Sequence, residues 1–322
     1  MKIVILDGYT ENPGDLSWAG LEALGSVTVY DRTSLTDEAE ILSRIGDADA
    51  VYTNKTPLSA AVISAAPKLK FIGVLATGYN IVDVAAAKAR GIPVCNVPGY
   101  STPSVAQHTF ALLLEACSHV GAHSDSVRAG AWARSRDFCY WNYPLIELSG
   151  KTLGIVGYGA IGKAVAKIAV AFGMNVLVCA RHVDPAEENE YIHYASREDI
   201  FAASDVITLH CPLFPETQGM VNAESIAKMK DGVILINTAR GPLVNDGDIV
   251  AAVRSGKVAW YCADVVSAEP IAKDNPLQAE EHILLTPHIA WAPKEARQRL
   301  MDIAVGNLRA FTEGAPVHVV NP

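Results

Sequence analysis

Three side chains with complementary chemistry each follow a short apolar run in the second half of the chain. Arg240 stands in INTARG after VILIN, Glu269 in DVVSAEP after WYCAD, and His288 in LLTPHIAW after ILL. A guanidinium can fork onto a carboxylate and polarise a neighbouring carbonyl. An imidazole gives and takes a proton near neutral pH, and a carboxylate that accepts from its second ring nitrogen favours the imidazolium. Taken singly each has a structural alternative: a capping or core hydrogen-bonder for His288, a turn former before Pro270 for Glu269. Together they supply an anion holder, a proton carrier and a group that tunes it.

A second constellation is Gly157-Tyr-Gly159-Ala-Ile-Gly162, which follows LGIV directly and opens AIGKAVAKIAVAFG. A strand before the glycines and a helix after them is the setting in which this spacing binds a dinucleotide. The first glycine makes the tight turn, the second lets the backbone approach a pyrophosphate, and the third lets helix and strand pack closely. The helix N-terminus then attracts the phosphate charge. The next strand ends in Cys179-Ala180-Arg181-His182, with no acid to bind both ribose hydroxyls. Arg181 can pair with a 2′-phosphate, so NADP(H) is the preferred cofactor and NAD(H) the second; a solvated surface arginine is the alternative. Behind such a cofactor site, Arg240, Glu269 and His288 fit hydride transfer at C2 of a small 2-oxo or 2-hydroxy acid.

The elements that must position these residues alternate β-branched runs with Ala-rich or amphipathic segments. In the first third the runs are IVIL, VTVY, AVYT, KFIGVLAT and IPVCNV, separated by DLSWAGLEALG, TDEAEILSRIG, LSAAVISAAP and VDVAAAKARG as helices. That rhythm predicts βαβ units and a doubly wound parallel sheet. After Pro98, Gly99 and Pro103, the stretch from Val105 to Gly130 reads as one long helix crossing between domains. Residues 128–149, rich in Trp and Tyr, read as an arm with apolar anchors. A second α/β series then begins with TLGIVG and continues through NVLVCA, DVITLHCP, VILINTA, WYCADV and ILLTP. A last helix is expected from about 293 to 313, with Pro293 in its first turn.

At 322 residues two domains are expected, and 50% hydrophobic with 19% charged residues is ordinary globular usage. A net charge of −9 opposes nucleic acid or an anionic membrane as partner. The opening MKIVILDGYT reads as a cytoplasmic first strand rather than a signal, and no window is apolar enough to span a membrane. The six cysteines lack C-x-x-C pairing and read as reduced core thiols. No metal site is expected among the nine histidines.

The segments VLATGYNIVD, STPSVAQHTFALLL, GKTLGIVGYGAIG, HCPLFPETQGM, INTARGPLV, ADVVSAEP and TPHIAW resemble the D-isomer-specific 2-hydroxyacid dehydrogenase family, in its glycerate dehydrogenase and hydroxypyruvate/glyoxylate reductase branch. The resemblance spans nearly the whole chain. It implies a Rossmann-type cofactor domain, residues 100–289, inserted into a flavodoxin-like substrate domain, residues 1–99 and 290–322, closing over the substrate as a homodimer. It implies that backbone amides near Thr77 and Gly78 bind the substrate carboxylate, with Arg240, Glu269 and His288 as the catalytic three. On the cofactor side it implies Ala160 and Ile161 at the pyrophosphate, and Cys211, Pro212 and Thr217 at the adenosine. Thr238, Ala239 and Asp264 would meet the nicotinamide and its ribose, and Val105 would back the ring. Trp291 fits substrate binding in this branch and fits packing equally. Gln107 departs from the Glu of many members, and Ala180-Arg181 departs from the acidic strand end of NAD-selective ones.

Hydroxypyruvate is the first expected substrate and glyoxylate the second. Asn54 and the Tyr100 hydroxyl could meet a C3 hydroxyl, or could be surface or turn residues. The alternatives are another D-2-hydroxyacid dehydrogenase, of the D-lactate type, and a cofactor-sensing binding protein of the corepressor type. A formate dehydrogenase would be expected to carry Gln at position 269.

Overall fold

A computed structural model describes residues 1–322, which divide into two compact units, Met1–Ser101 with Trp291–Pro322, and Thr102–Ala290. The first unit begins β1 (Lys2–Ile5), α1 (Ala19–Glu22), β2 (Ser26–Val29), α2 (Glu38–Ile45), β3 (Ala50–Thr53), α3 (Ala60–Ala65), β4 (Phe71–Val74), α4 (Val84–Ala89) and β5 (Val94–Cys95). Its sheet runs β2-β1-β3-β4-β5 with every pairing parallel, the flavodoxin-like order, and the winding reverses between β1 and β3. Every residue of β3 and β4 is buried, as strands covered on both faces must be. Side chains of Asp37, Ser59 and Asp83 accept from first-turn amides and start α2, α3 and α4. The helix expected over DLSWAGLEALG is only four residues long. Asn12 Oδ1 accepts from Gly14 and Leu16 N–H at 3.1 and 3.0 Å, and this local bonding satisfies the backbone in place of a helical turn.

The second unit contains α5 (Thr102–Ser118), α6 (Val120–Arg128), β6 (Thr152–Val156), α7 (Ala160–Ala171), β7 (Asn175–Cys179), β8 (Ile192–Tyr194), α8 (Arg197–Ala203), β9 (Val206–Leu209), α9 (Ala223–Ala227), β10 (Val233–Asn237), α10 (Asp246–Arg254), β11 (Val258–Ala263) and β12 (Ile283–Leu285). Its all-parallel sheet runs β12-β11-β10-β9-β6-β7-β8 and reverses between β6 and β9. The three-residue β8 was not expected, being too short to show a period. The single long helix expected from Val105 to Gly130 is two, broken at His119, whose φ is 48°. The buried His119 ring centroid lies 4.7 Å from that of Tyr143 and 5.1 Å from that of Trp260. This aromatic packing holds a conformation that a non-glycine residue rarely takes. The arm that follows has one short turn, Trp132–Arg134, and exposes Trp132, Phe138, Trp141 and Leu145. Cys139 on it is exposed, against the expectation of core thiols, whereas Cys95, Cys117 and Cys262 are buried.

The chain returns to the first unit as α11 (Lys294–Thr312), with Pro293 as its N-cap, one place before the first turn. Ala296, Leu300, Met301, Ala304 and Leu308 share one core with Ile3, Ile5, Tyr52 and Phe71. Tyr52 Oη donates to the Ala304 carbonyl at 2.7 Å. Gly73 leaves room for that ring, since a Cβ there would lie 2.2 Å from it. No helix of the chain is long and apolar enough to cross a membrane.

Candidate active site

In the second unit β6 runs into Gly157, whose φ is +105° and whose Cβ would fall 2.5 Å from both Cys211 N and His210 C. Only glycine fits this turn. A Cβ on Gly162 would come within 2.3 Å of the Gly157 carbonyl, whereas one on Gly159 would meet nothing within 4 Å. Gly159 caps α7 without a side-chain acceptor, and the N–H groups of Ala160, Ile161 and Gly162 have no partner inside the helix. Open space over unpaired amides at a helix start, at the reversal of the sheet, fits a pyrophosphate.

Around this loop, Thr217 Oγ1 accepts from Phe214 N–H at 2.8 Å and donates to the Pro212 carbonyl at 2.9 Å, which closes the loop after Cys211. Burial pushes the Cys211 thiol up to about 11, so it packs as a neutral group. Arg181 is exposed just beyond β7, and its guanidinium carbon lies 5.5 Å from the Phe214 ring centroid. Val105 and Thr238 meet through Thr109, whose hydroxyl donates to the Val105 carbonyl at 2.8 Å and lies 3.1 Å from Thr238 Oγ1.

His288 Nδ1 lies 2.6 Å from Glu269 Oε2, and Glu269 Oε1 accepts from Val266 N–H at 3.2 Å. The carboxylate fixes Nδ1 as the donor and leaves Nε2 as the ring nitrogen that could exchange a proton. Arg240 stands at the start of the turn Gly241–Leu243, with Nη1 donating to the Ala239 carbonyl at 2.7 Å. A Cβ on Gly241 would lie 1.8 Å from the Val266 carbonyl, so this glycine brings the Arg240 loop against the loop that carries Glu269.

Asp264, expected at the nicotinamide, is engaged within the protein. Its Oδ1 accepts from Thr286 Oγ1 at 2.6 Å and Ile289 N–H at 2.8 Å, and its Oδ2 from Ala290 N–H at 2.8 Å. His108 Nε2 lies 2.9 Å from Thr286 Oγ1 and 3.5 Å from Asp264 Oδ1. Burial pushes the Asp264 carboxyl up, yet these donors outweigh it and hold the group below the usual range. The carboxylate thus ties down the two residues after His288, whose own φ is 55°.

In the first unit, Val97 N–H donates to the Ala76 carbonyl at 2.9 Å and Asn96 Nδ2 to the Thr77 carbonyl at 2.8 Å. With its carbonyls turned inward, the segment leaves the N–H groups of Thr77 and Gly78 without an internal acceptor. That is a cradle for an anion. Trp291 sits edge-on to Tyr100, ring centroids 6.5 Å apart. Sequence reasoning missed Glu11, fully buried, whose Oε1 accepts from Asn54 Nδ2 at 2.6 Å while Oε2 has no partner. Desolvation first, and then Asp7, raise its carboxyl to about 8. Nothing in the local pattern TENPGD marks it as buried. Also missed was the H-x-x-x-H spacing of His119 and His123, but these do not form a ligand pair. His123 Nδ1 lies 2.9 Å from the His119 carbonyl and its Nε2 accepts from Asn142 N–H at 3.0 Å, so both ring nitrogens are engaged.

The sequence profile of the NAD binding domain of D-isomer specific 2-hydroxyacid dehydrogenases matches residues 110–290. The chain is 60% identical over 321 residues to a hydroxypyruvate reductase of Blautia hydrogenotrophica, covering 100% of both chains. The chain belongs to the D-isomer specific 2-hydroxyacid dehydrogenase family. It is also 43% identical to a glycerate dehydrogenase of Methylorubrum extorquens, over 87% of this chain and 88% of the other. The TT0316 protein of Thermus thermophilus superposes with a TM-score of 0.87 at 36% identity, over 99% of this chain and 100% of that one. The protein is therefore an oxidoreductase that uses a nicotinamide dinucleotide and acts on small hydroxy or oxo acids.

Proposed function

We propose that this dehydrogenase is a hydroxypyruvate reductase, with glyoxylate as its second substrate and NADPH as its preferred donor. The observation that carries the reading is the Glu269–His288 contact at 2.6 Å, in a chain 60% identical to a hydroxypyruvate reductase. The bound cofactor supplies the hydride that C2 receives. Arg240 forks onto the substrate carboxylate and polarises the neighbouring carbonyl. The open amides of Thr77 and Gly78 suit a carboxylate as well. His288 Nε2 gives its proton to the carbonyl oxygen, and Glu269 stabilises the imidazolium before transfer. Gly157, Gly159, Gly162, Ala160 and Ile161 take the pyrophosphate, and Cys211, Pro212 and Thr217 the adenosine side. Thr238, Ala239 and Asp264 meet the nicotinamide and its ribose, Val105 backs the ring, and Trp291 walls the substrate. In this reading, residues 100–289 serve the cofactor and residues 1–99 with 290–322 the substrate.

The preference for NADPH rests on Arg181, which has Ala180 rather than an acid beside it and an exposed guanidinium for a 2′-phosphate. The exposed Trp132, Phe138, Trp141 and Leu145 of the arm support a homodimer. The test is absorbance at 340 nm with NADPH or NADH and with hydroxypyruvate, glyoxylate or pyruvate. Faster oxidation of NADPH with hydroxypyruvate is expected. Silence with all three acids and both cofactors overturns the reading.

A further inference from the structure

Asn54 follows β3 and Asp7 follows β1, so both stand at the carboxyl edge of the first sheet, at the point where its winding reverses. Ligands collect at this position in open parallel sheets. Asp7 holds the Asn54 loop from below: its Oδ1 accepts from Asn54 N–H at 2.8 Å and its Oδ2 from Thr56 N–H at 2.7 Å. The Asn54 side chain is itself held. Nδ2 donates to Glu11 Oε1 at 2.6 Å and to the Leu75 carbonyl at 2.7 Å, which uses both amide hydrogens. Flipping the amide would set Oδ1 against the Leu75 carbonyl oxygen, so the orientation is fixed whatever the charge on Glu11. Oδ1 accepts no hydrogen bond within the protein, and the residue is 7% exposed. The carbonyl that holds Nδ2 lies two residues before Thr77, whose amide is free for a substrate carboxylate.

We infer that Asn54 Oδ1 is the acceptor for the 3-hydroxyl of a three-carbon 2-oxo acid and so sets selectivity for a 3-hydroxylated substrate, with buried Glu11 as the residue that positions it. The inference rests on the proposed reductase activity and deepens it. An oriented acceptor with no donor of its own recognises O–H and gains nothing from a methyl group. Pyruvate and hydroxypyruvate differ by that hydroxyl alone, and so do D-lactate and D-glycerate. A buried polar group left unpaired by the wrong substrate is what makes such a site discriminate.

The experiment compares kcat/KM for hydroxypyruvate and pyruvate in the wild type, Asn54→Ala, Glu11→Ala and Glu11→Gln. Asn54→Ala is expected to lower the hydroxypyruvate value by roughly 5- to 150-fold, the range spanned by leaving a buried polar group unsatisfied. The pyruvate value should stay within about threefold, so that the selectivity ratio collapses. Glu11→Ala removes one of the two tethers on the amide and erodes the ratio, while Glu11→Gln keeps an acceptor for Nδ2 and restores it; damage to the fold alone would lower both substrates together. Should the alanine variants not fold, Asn54→Ser and the wild type's own oxidation of D-glycerate against D-lactate decide the matter. Equal loss for both acids, or a wild type that favours D-glycerate by less than about threefold, overturns the role of Asn54. A wild type inactive with every acid overturns the reductase reading and this inference with it, whereas active variants with an unchanged ratio remove the inference alone.

Discussion

Replacing Glu11 with glutamine should change how the stability of the chain depends on pH. Burial, and then the charge of Asp7, raise the Glu11 carboxyl from 4.5 to about 8, against weaker lowering by Asn54, Arg297 and Lys55. The folded chain therefore holds this proton more tightly than the unfolded chain. The stabilisation is complete below pH 4.5, declines as pH rises through the window up to about 8, and is gone above it. At 1.36 kcal/mol per pKa unit, the window between pH 5 and pH 8 contains about 3–4 kcal/mol. Other groups titrate alike in both proteins, so the difference between wild type and Glu11→Gln isolates the term, together with whatever Asp7 gains from losing its neighbour. Chemical denaturation at pH 5, 6.5 and 8, followed by tryptophan fluorescence, measures it. The variant should gain on the wild type steadily from pH 5 to pH 8. A difference constant to within about 0.5 kcal/mol over that range would refute the reasoning, because Glu11 would then have an ordinary carboxyl.

His288→Gln should cost roughly 10²–10⁴-fold in kcat with binding of the dinucleotide retained, measured by steady-state turnover and cofactor fluorescence. Glu269→Gln should cost less, about 10- to 100-fold, since it leaves the imidazole in place but no longer fixes Nδ1 as donor. Arg181→Ala should raise KM for NADPH about tenfold or more and leave KM for NADH nearly unchanged; parallel changes would return Arg181 to the status of a surface residue. Gly162→Ala should destabilise the chain by about 2 kcal/mol or more and abolish dinucleotide binding, because its Cβ would meet the Gly157 carbonyl at 2.3 Å.

Features written as local pattern were legible in the sequence. The apolar runs became strands because a parallel sheet covered on both faces needs unbroken β-branched stretches, and the glycine fingerprint fell at β6–α7 for steric reasons that the residue type itself encodes. Arg240, Glu269 and His288 drew attention because each stands on a loop after an apolar run, and those runs are β10, β11 and the three-residue β12. What stayed hidden was set by tertiary contact. His119 breaks a helical pattern to pack on Tyr143 and Trp260, a choice made by a partner some 140 residues away. Glu11 looks like a loop acid and is buried by Asn54 and α11. Asp264 also accepts from the amides of Ile289 and Ala290, a pairing that no spacing in the sequence announces.

The split of the first unit has a consequence for how the chain is made. Its core face on Ile3, Ile5, Tyr52 and Phe71 is covered by α11, and β5 bridges to Val319, so residues near the end of the chain complete a structure begun at Lys2. The unit Thr102–Ala290 is contiguous and can fold as soon as it leaves the ribosome. At about 5–20 residues per second its synthesis alone takes roughly 10–40 s, during which the opening segment waits with an apolar sheet face uncovered. The nascent chain thus passes through a stage in which its later domain is finished and its earlier one is not, and that stage is when chaperones would find the most to bind.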